Sequence, residues 1–288
     1  MITCKLMGGL GNQLFQIFTT LSYAIKTGNV FIFSDDTILG IGDNIRPTYW
    51  ETFLLKLKPF TRNMFPKFKV IKEIDFTYND IELSEIKNQD VLLFGYFQSY
   101  KYFKNEFNTI CKLINLVEMK NNLFENKSEY VYTSGFLYNT TSMHFRLGDY
   151  KKLQEYHPLM TYEYYKKALK CIIQKNKLTQ DRKIINVLYF CEEEDVTDVL
   201  EMIHRMKEKF TTINFIRCSN NLEDWEQMLL MSVCKNNIIA NSSFSWWGAY
   251  FNLSQDKIVC YPSKWFGPSL NHDTKDMCPC EWIKIEID

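Results

Sequence analysis

The sequence has no net charge that would draw it to a polyanion. Its 34 basic residues balance 34 acidic ones, so it has no global attraction to nucleic acid or to an anionic membrane. Only six of the basic residues are arginines, and an arginine within a motif is therefore more informative than a lysine. Any phosphate binding must be local.

Other absences narrow the class of protein. No stretch reaches the roughly 18 apolar residues of a membrane span, and the first residues lack the basic and apolar parts of a signal peptide. The nine cysteines follow neither a disulfide framework nor a zinc-ligand spacing. We therefore expect a cytoplasmic protein with reduced thiols and no membrane span.

The length and composition are those of a globular protein with more than one core. The chain has 288 residues, of which 46% are hydrophobic and 24% are charged, and this length suits two domains. A polar stretch with weak periodicity at residues 121–132 is where we place the boundary. The predicted domains are residues 1–135 and 136–288.

The N-terminus predicts a βαβ unit. A strand at residues 2–6 precedes a glycine-rich turn, a helix at 12–26 that Gly28 can end, and a strand at 30–34. The turn matches neither a P-loop nor G-x-G-x-x-G. Two interpretations stay open: a tight turn that needs positive φ, or a loop that binds a polar ligand through Gly9, Gly11, Asn12 and Gln13.

The C-terminal half alternates strands and helices. Strands are predicted at residues 142–145, 184–190, 213–216, 238–240 and 257–261, and helices at 162–175, 196–210, 222–234 and 243–252. A strand at 91–97 and a helix at 102–114 come earlier, whereas residues 37–90 have no clear periodicity. This alternation predicts an α/β fold with parallel sheets, and ligands of such sheets bind beyond the carboxyl ends of the strands.

A strand end at mid-chain carries a candidate phosphate clamp. In the sequence His-Phe-Arg-Leu-Gly-Asp, alternation puts His144 and Arg146 on one side and Phe145 on the other. The Arg146 guanidinium could bind a diphosphate bidentately, and His144 could contact a base or a phosphate. Asp149 could orient Arg146 or cap the next segment. The alternative is a purely structural Arg–Asp pair.

A second strand end leads into the sequence Asn-Ser-Ser-Phe-Ser-Trp-Trp. An apolar run followed by hydroxyl residues and a bulky helical pattern indicates a helix N-terminus, where backbone N–H groups and the dipole favour anions. We expect Ser243 and Ser245 to be direct donors, with Asn241 and Ser242 beside them. The alternative is an ordinary capped core helix. In both cases Trp246 and Trp247 serve as packing.

Together these motifs resemble a known family. The segments GGLGNQ, GYFQSYKYF, HFRLGD, LMS, NSSFSWWGA and PSKWF are similar in type and order to those of the α-1,2-fucosyltransferases of glycosyltransferase family 11. They span nearly the whole chain, and their joint occurrence is highly specific.

The resemblance implies a GT-B-like architecture of two Rossmann-like domains with the active site in the cleft between them. It implies that the C-terminal half binds GDP-β-L-fucose and the N-terminal half helps to bind the acceptor. It also implies an inverting, metal-independent transfer to the 2-hydroxyl of a terminal β-galactoside, without a cofactor, in carbohydrate metabolism or protein glycosylation. Arg146 would then neutralise the departing GDP.

Two positions depart from the family pattern. Leu147 stands where bacterial relatives have a second arginine, and Gln227 stands where relatives often have an aspartate that binds the guanine edge. The catalytic base has three candidates, Asp149, Glu155 and His157, of which the last lies in a His-Pro-Leu segment that resembles one in bacterial relatives. The alternatives to this function are another linkage or acceptor, or a catalytically degenerate nucleotide-sugar or glycan-binding protein.

Overall fold

The structure is a computed structural model that describes residues 1–40, 45–63, 67–125, 134–178 and 186–287. The chain divides into two compact units. Unit 1 comprises Met1–Met119 and His272–Pro279, and unit 2 comprises Lys120–Asn271 and Cys280–Asp288. The predicted domain boundary at residues 135 and 136 stays a prediction, as does the placement of the active site between domains.

Unit 1 contains short strands, which pair in parallel except for one antiparallel pair. Its strands are β1 (Ile2–Cys4), β2 (Phe33–Ser34), β3 (Ile38–Leu39), β4 (Arg46–Pro47), β5 (Thr61–Arg62), β6 (Lys69–Lys72) and β7 (Val91–Phe94). Its helices are α1 (Leu10–Thr27), α2 (Leu83–Ile86) and α3 (Phe107–Leu113), and α4 (Leu116–Glu125) runs into unit 2. A parallel sheet has the order β1-β7-β6, β2 pairs with β5 in parallel, and β3 and β4 form the antiparallel pair. A parallel bridge joins Ile2 to Phe31 on the other side of β1.

The predicted βαβ unit is present at the start of unit 1. Leu14, Phe18 and Leu21 of α1 are fully buried, and every other residue from Leu10 to Ala24 except Asn12 is buried as well, because the helix is covered on all sides. Gly28 ends the helix in the left-handed region with φ 69°, as the sequence predicts. Ile25, which the periodicity assigned to the same face, is exposed, since the last turn extends beyond the core.

Unit 2 contains a six-stranded sheet. Its strands are β8 (Thr140–His144), β9 (Asn186–Phe190), β10 (Asn214–Arg217), β11 (Asn236–Ile238), β12 (Val259–Pro262) and β13 (Ile283–Ile285). Its helices are α5 (Ser134–Leu137), α6 (Tyr162–Leu178), α7 (Val196–Lys209), α8 (Asp224–Val233) and α9 (Ser243–Tyr250). Every pairing is parallel, in the order β10-β9-β8-β11-β12-β13. The prediction missed β13, and residues 184–185 of the predicted strand lie outside the described residues.

The strand order of unit 2 creates a switch point between β8 and β11. From β8 the chain proceeds outward to β9 and β10, whereas from β11 it proceeds in the opposite direction to β12 and β13. In doubly wound sheets the crevice at such a point, beyond the carboxyl ends of the strands, is where ligands bind. The predicted α/β class with Rossmann-like parallel sheets is confirmed. In the described part of the chain, no helix is long and apolar enough to cross a membrane.

Candidate functional site

The end of β8 presents alternate side chains to opposite sides, as the sequence predicts. Phe145 and Leu147 are buried in the main hydrophobic cluster of unit 2, and the Phe145 ring lies 4.2 Å from that of Tyr165. Arg146 keeps 20% of its side chain exposed. The position of Leu147 is therefore a core position, because alternation directs it away from the side of Arg146.

Arg146 lies between two carboxylates. Its Nη2 donates to Asp149 Oδ1 at 2.6 Å, and its Nη1 donates to Glu192 Oε1. The guanidinium carbon also lies 5.1 Å from the centroid of the Tyr150 ring. The predicted Arg–Asp pair is present, and Glu192, which follows β9, is a second partner that the sequence did not reveal. Two ion pairs and one aromatic face hold the cation at the switch point.

The loop after β8 is fastened to the loop after β9. The backbone N–H of Gly148 donates to Asp195 Oδ2 at 2.7 Å, and Lys151 Nζ lies 2.7 Å from a carboxylate oxygen of both Asp195 and Asp198. Gly148 has φ +36°, and a Cβ there would lie 2.8 Å from Glu192 Oε2. The positive φ favours glycine at this position, and a side chain here would also displace the end of Glu192. The acidic run directly after β9 was the signal that could have located these partners.

The second motif begins α9 beside this loop. Ser242 precedes the helix in an extended conformation, and its side chain makes no capping hydrogen bond. Ser243 is half-buried in the first turn, whereas Ser245 is buried and its hydroxyl donates to Ser242 O at 3.3 Å. Trp246 and Trp247 are fully buried and anchor the helix. The helix end therefore presents Ser243 more openly than Ser245.

The two motifs meet across the switch point. The ring of His144 lies 5.5 Å from that of Phe244, and the Tyr150 hydroxyl donates to Asn241 O at 3.3 Å. Asn241 Nδ2 donates to Pro158 O at 2.9 Å and to Trp265 O at 3.1 Å. Asn241 thus connects three loops, which follow the carboxyl ends of β8, β11 and β12.

Both strand ends carry a buried polar atom without a hydrogen-bond partner. These atoms are His144 Nδ1 and Asn241 Oδ1. Burial, together with the nearby Arg146 cation, lowers the pKa of His144 to about 3, so its ring is neutral at neutral pH. Buried polar groups are nearly always paired, and two unpaired ones at the mouth of a switch point indicate a place that water or ligand completes.

His157 lies within the same group of side chains. Its ring stacks on Tyr150, with centroids 4.5 Å apart, and lies 5.8 Å from the Phe266 ring. Burial lowers its pKa below the usual value, partly offset by Asp149. The side chains of Asp149 and Glu155 are exposed, and the Glu155 backbone carbonyl accepts from Ser269 N–H at 2.9 Å. Of the three base candidates, His157 is thus the one enclosed by aromatic rings.

Gln227 lies in the first turn of α8. Its Nε2 donates to Leu222 O at 3.0 Å, so this donor group is engaged at the start of its own helix. This hydrogen bond does not connect Gln227 with the Arg146 site. The Gln227 side chain is half-buried.

The glycine-rich turn belongs to unit 1. The positive φ is at Gly8, at +75°, whereas Gly9 is the extended N-cap of α1 and Gly11 is buried within it. Gln13 Nε2 donates to Gly8 O at 3.0 Å and to Pro47 O at 2.8 Å, and Asn12 Oδ1 accepts from Gln98 Nε2 at 2.8 Å. Both amides thus have partners inside unit 1, which favours the tight-turn interpretation of this segment.

Comparison with known proteins supplies the family. The profile of glycosyl transferase family 11 matches residues 1–286. The O-antigen biosynthesis glycosyltransferase WbnK of Escherichia coli is 34% identical over 205 residues, which cover 70% of this chain and 62% of WbnK. An α-1,2-colitosyltransferase of Escherichia coli is 24% identical over 304 residues, covering 99% of each chain. The match to WbnK thus spans less than two thirds of its length.

One solved structure illustrates how distant the structural likenesses are. An Arabidopsis thaliana FUT1 mutant in complex with GDP aligns over 90% of this chain and 70% of its own, with 12% identity and a TM-score of 0.49. That likeness is too loose to carry an argument. The family profile, in contrast, covers nearly the entire sequence, and the chain belongs to glycosyl transferase family 11.

Proposed function

We propose that this chain is an inverting galactoside α-1,2-fucosyltransferase. It transfers L-fucose from GDP-β-L-fucose to the 2-hydroxyl of a terminal β-galactoside, without a metal ion. The observation that carries the proposal is the placement of Arg146 and the N-terminus of α9 beside neighbouring strands at one switch point. Family membership supports glycosyl transfer, and the name of the colitosyltransferase relative supports an α-1,2 linkage.

The diphosphate of the donor binds at this switch point. Arg146 has five N–H donors in a planar fork, and the backbone N–H groups that begin α9 add a positive dipole end. As the bond between C1 of fucose and the phosphate oxygen breaks, negative charge grows on the departing GDP. A fixed donor aimed at such charge typically stabilises the transition state by about 3 to 4 kcal/mol.

Neutral groups complete the nucleotide site. His144 Nδ1 and Asn241 Oδ1 are buried and unpaired, so a ligand that satisfies them regains hydrogen bonds that the protein alone does not make. Since burial, together with the neighbouring guanidinium, lowers the pKa of His144 and keeps its ring neutral, that ring can accept a hydrogen bond at Nδ1. Gln227 Oε1 is proposed to accept from guanine.

His157 is proposed as the base. In an inverting transfer the acceptor oxygen attacks C1 on the face opposite the departing GDP and loses its proton to a base. A neutral imidazole held between Tyr150 and Phe266 can take that proton. Asp149 is engaged with Arg146, and Glu155 lies on an exposed turn.

A second donor is a specific alternative. One relative is an α-1,2-colitosyltransferase that matches 99% of this chain, so a GDP-activated colitose is proposed as the rival to GDP-fucose. Competition between the two donors in one reaction, read by mass spectrometry of the product, decides which sugar is preferred.

Incubation of the protein with GDP-fucose and a panel of β-galactosides tests the proposal. Lactose and type 1 and type 2 disaccharides serve as acceptors, GDP release is followed, and product linkage is determined by NMR. We expect a fucose α-1,2-linked to galactose. If no product forms and no GDP is released with either donor across the panel, a transferase activity is excluded. GDP binding without turnover would then favour a degenerate binding protein.

A further inference from the structure

A pair of thiols lies outside the Arg146 site and has no part in the proposed transfer. Cys171 is on α6 and Cys260 is on β12, and these two elements pack against each other. The two thiols are near enough for each to shift the pKa of the other. Cys260 Sγ also lies 3.8 Å from Ala168 O, one turn before Cys171, which places it directly beneath that turn of the helix.

The two members of the pair differ in access to solvent. Cys171 is half-buried at the edge of the main hydrophobic cluster of unit 2, whereas Cys260 is fully buried within that cluster. A small reagent in solution therefore reaches Cys171 first. Cys260 lies behind it in the core, and this is the arrangement of an attacking thiol with a second thiol behind it.

The pair is also polarised. The hydrogen bond from Cys260, aided by the Lys175 cation, lowers the pKa of the Cys171 thiol to about 6, even though burial acts in the opposite direction. The same contact, together with burial, raises the pKa of Cys260. The directions of these shifts favour the thiolate form at Cys171 and the protonated form at Cys260. The thiolate is the nucleophilic form of cysteine.

We propose that Cys171 and Cys260 form a reversible dithiol–disulfide site that reacts with hydroperoxides. In the first step, Cys171 sulfur attacks a peroxide oxygen, the O–O bond breaks, and a sulfenic acid forms as hydroxide or alkoxide leaves. In the second, Cys260 sulfur attacks the sulfenic sulfur, an S–S bond replaces the S–O bond, and hydroxide leaves as water with the Cys260 proton. With hydrogen peroxide, two thiols and one peroxide give one disulfide and two waters.

Formation of the disulfide requires only a small movement of the side chains. A disulfide bond is about 2 Å long and joins Cβ atoms roughly 3.8 Å apart, and the packing of α6 on β12 places Cys260 Sγ beside the helical turn that leads to Cys171. The product links α6 to β12 across the core of unit 2.

Disulfide mapping of the folded protein after exposure to hydrogen peroxide tests the proposal. We expect a non-reduced digest to contain a peptide that links Cys171 to Cys260 within one chain, and a thiol reductant to remove it. Cys171→Ser and Cys260→Ser abolish the link, whereas Cys280→Ser, at an exposed cysteine, retains it. Oxidation of Cys171 to sulfinic acid without the link, or oxidation of Cys280 in preference to Cys171, would overturn the proposal.

The rate at which iodoacetamide alkylates Cys171 tests whether a hydrogen-bond donor at position 260 activates this thiol. This role is separate from that of the Cys260 sulfur in the disulfide. Cys260→Ser keeps a donor, and Cys171 should react at close to the unmodified rate. Cys260→Ala removes the donor, and alkylation of Cys171 at pH 7 should slow by about tenfold as its titration moves to higher pH. Equal rates in the two variants, with native circular dichroism in both, would contradict the polarised pair.

Discussion

Arg146 is held by charges that a diphosphate must share or displace. Asp149 follows it by three residues, so this pair could be predicted from the sequence. Glu192 lies 46 residues away, and only the parallel pairing of β8 with β9 brings it near. One cation beside two carboxylates makes a local cluster with net negative charge. A dianionic ligand is repelled by that excess.

Glu192→Gln is therefore expected to tighten GDP binding. The amide keeps a hydrogen-bond acceptor for Arg146 but removes one negative charge, and we expect the affinity to rise by roughly threefold to tenfold. Isothermal titration calorimetry at low salt measures this change. Glu193→Gln is the matched control, because Glu193 is on the same loop but pairs with Arg217 at 2.6 Å. Weaker binding by the Glu192 variant would show that this carboxylate orients the clamp instead.

The assignment of His157 as the base predicts how turnover depends on pH. Burial lowers its pKa below the ordinary value of a histidine, so a base at this position is neutral and active at pH 7. Activity should fall only as the pH drops through that lowered pKa, which places the acid limb of kcat below pH 6.5.

A pH–rate profile of His157→Asn tests this assignment. The variant should lose the acid limb and about 100-fold to 10,000-fold in kcat, while His204→Asn, at an exposed position on α7, should behave as the unmodified protein. An unchanged acid limb in His157→Asn would transfer the role to Asp149 or Glu155.

At the scale of elements, regular periodicity was the reliable signal. The helices α6 to α9 and the strands β8 to β12 lie within a few residues of their predicted positions, because the helices bury an apolar face and the strands are short apolar runs between them. The two-residue strands β3 to β5 could not be predicted, since pairing with other segments defines them, not local pattern, whereas β2 falls within the predicted strand at 30–34. Leu147 was identified as a departure from the family motif, but only the structure shows that it lies in the core.

The N-terminus of α9 can be tested by removing a single backbone donor. Ser242 is extended, with φ −139° and ψ 126°, which is compatible with a following proline, and proline is well tolerated at the first helical position. Ser243→Pro should therefore preserve the helix while deleting one N–H. Ser243→Ala removes the hydroxyl alone and serves as the matched control.

We expect Ser243→Pro to bind GDP about fivefold to tenfold more weakly than Ser243→Ala, because it loses a charge-assisted hydrogen bond. Calorimetry gives both affinities, and far-ultraviolet circular dichroism with thermal melts verifies that the fold is intact. Equal affinities in two folded variants would mean that the backbone at this helix end does not bind the diphosphate.

At the scale of the whole molecule, the strand order of unit 2 was beyond sequence reasoning. Alternating strands and helices predict a parallel sheet, yet they do not say which strands are neighbours. The order β10-β9-β8-β11-β12-β13 makes the strand with Arg146 adjacent to the strand that precedes α9. Two motifs about 95 residues apart by number thus become one candidate site.

The central claim is that this switch point binds the diphosphate of the donor through Arg146. Isothermal titration of GDP into the unmodified protein and into Arg146→Ala tests it most directly, with Lys207→Ala, at an exposed position on α7, as the control. We expect the unmodified protein and the control to bind GDP alike and Arg146→Ala to bind it roughly 10-fold to 100-fold more weakly. Equal affinity in a folded Arg146→Ala variant, or no binding by the unmodified protein, would contradict the account.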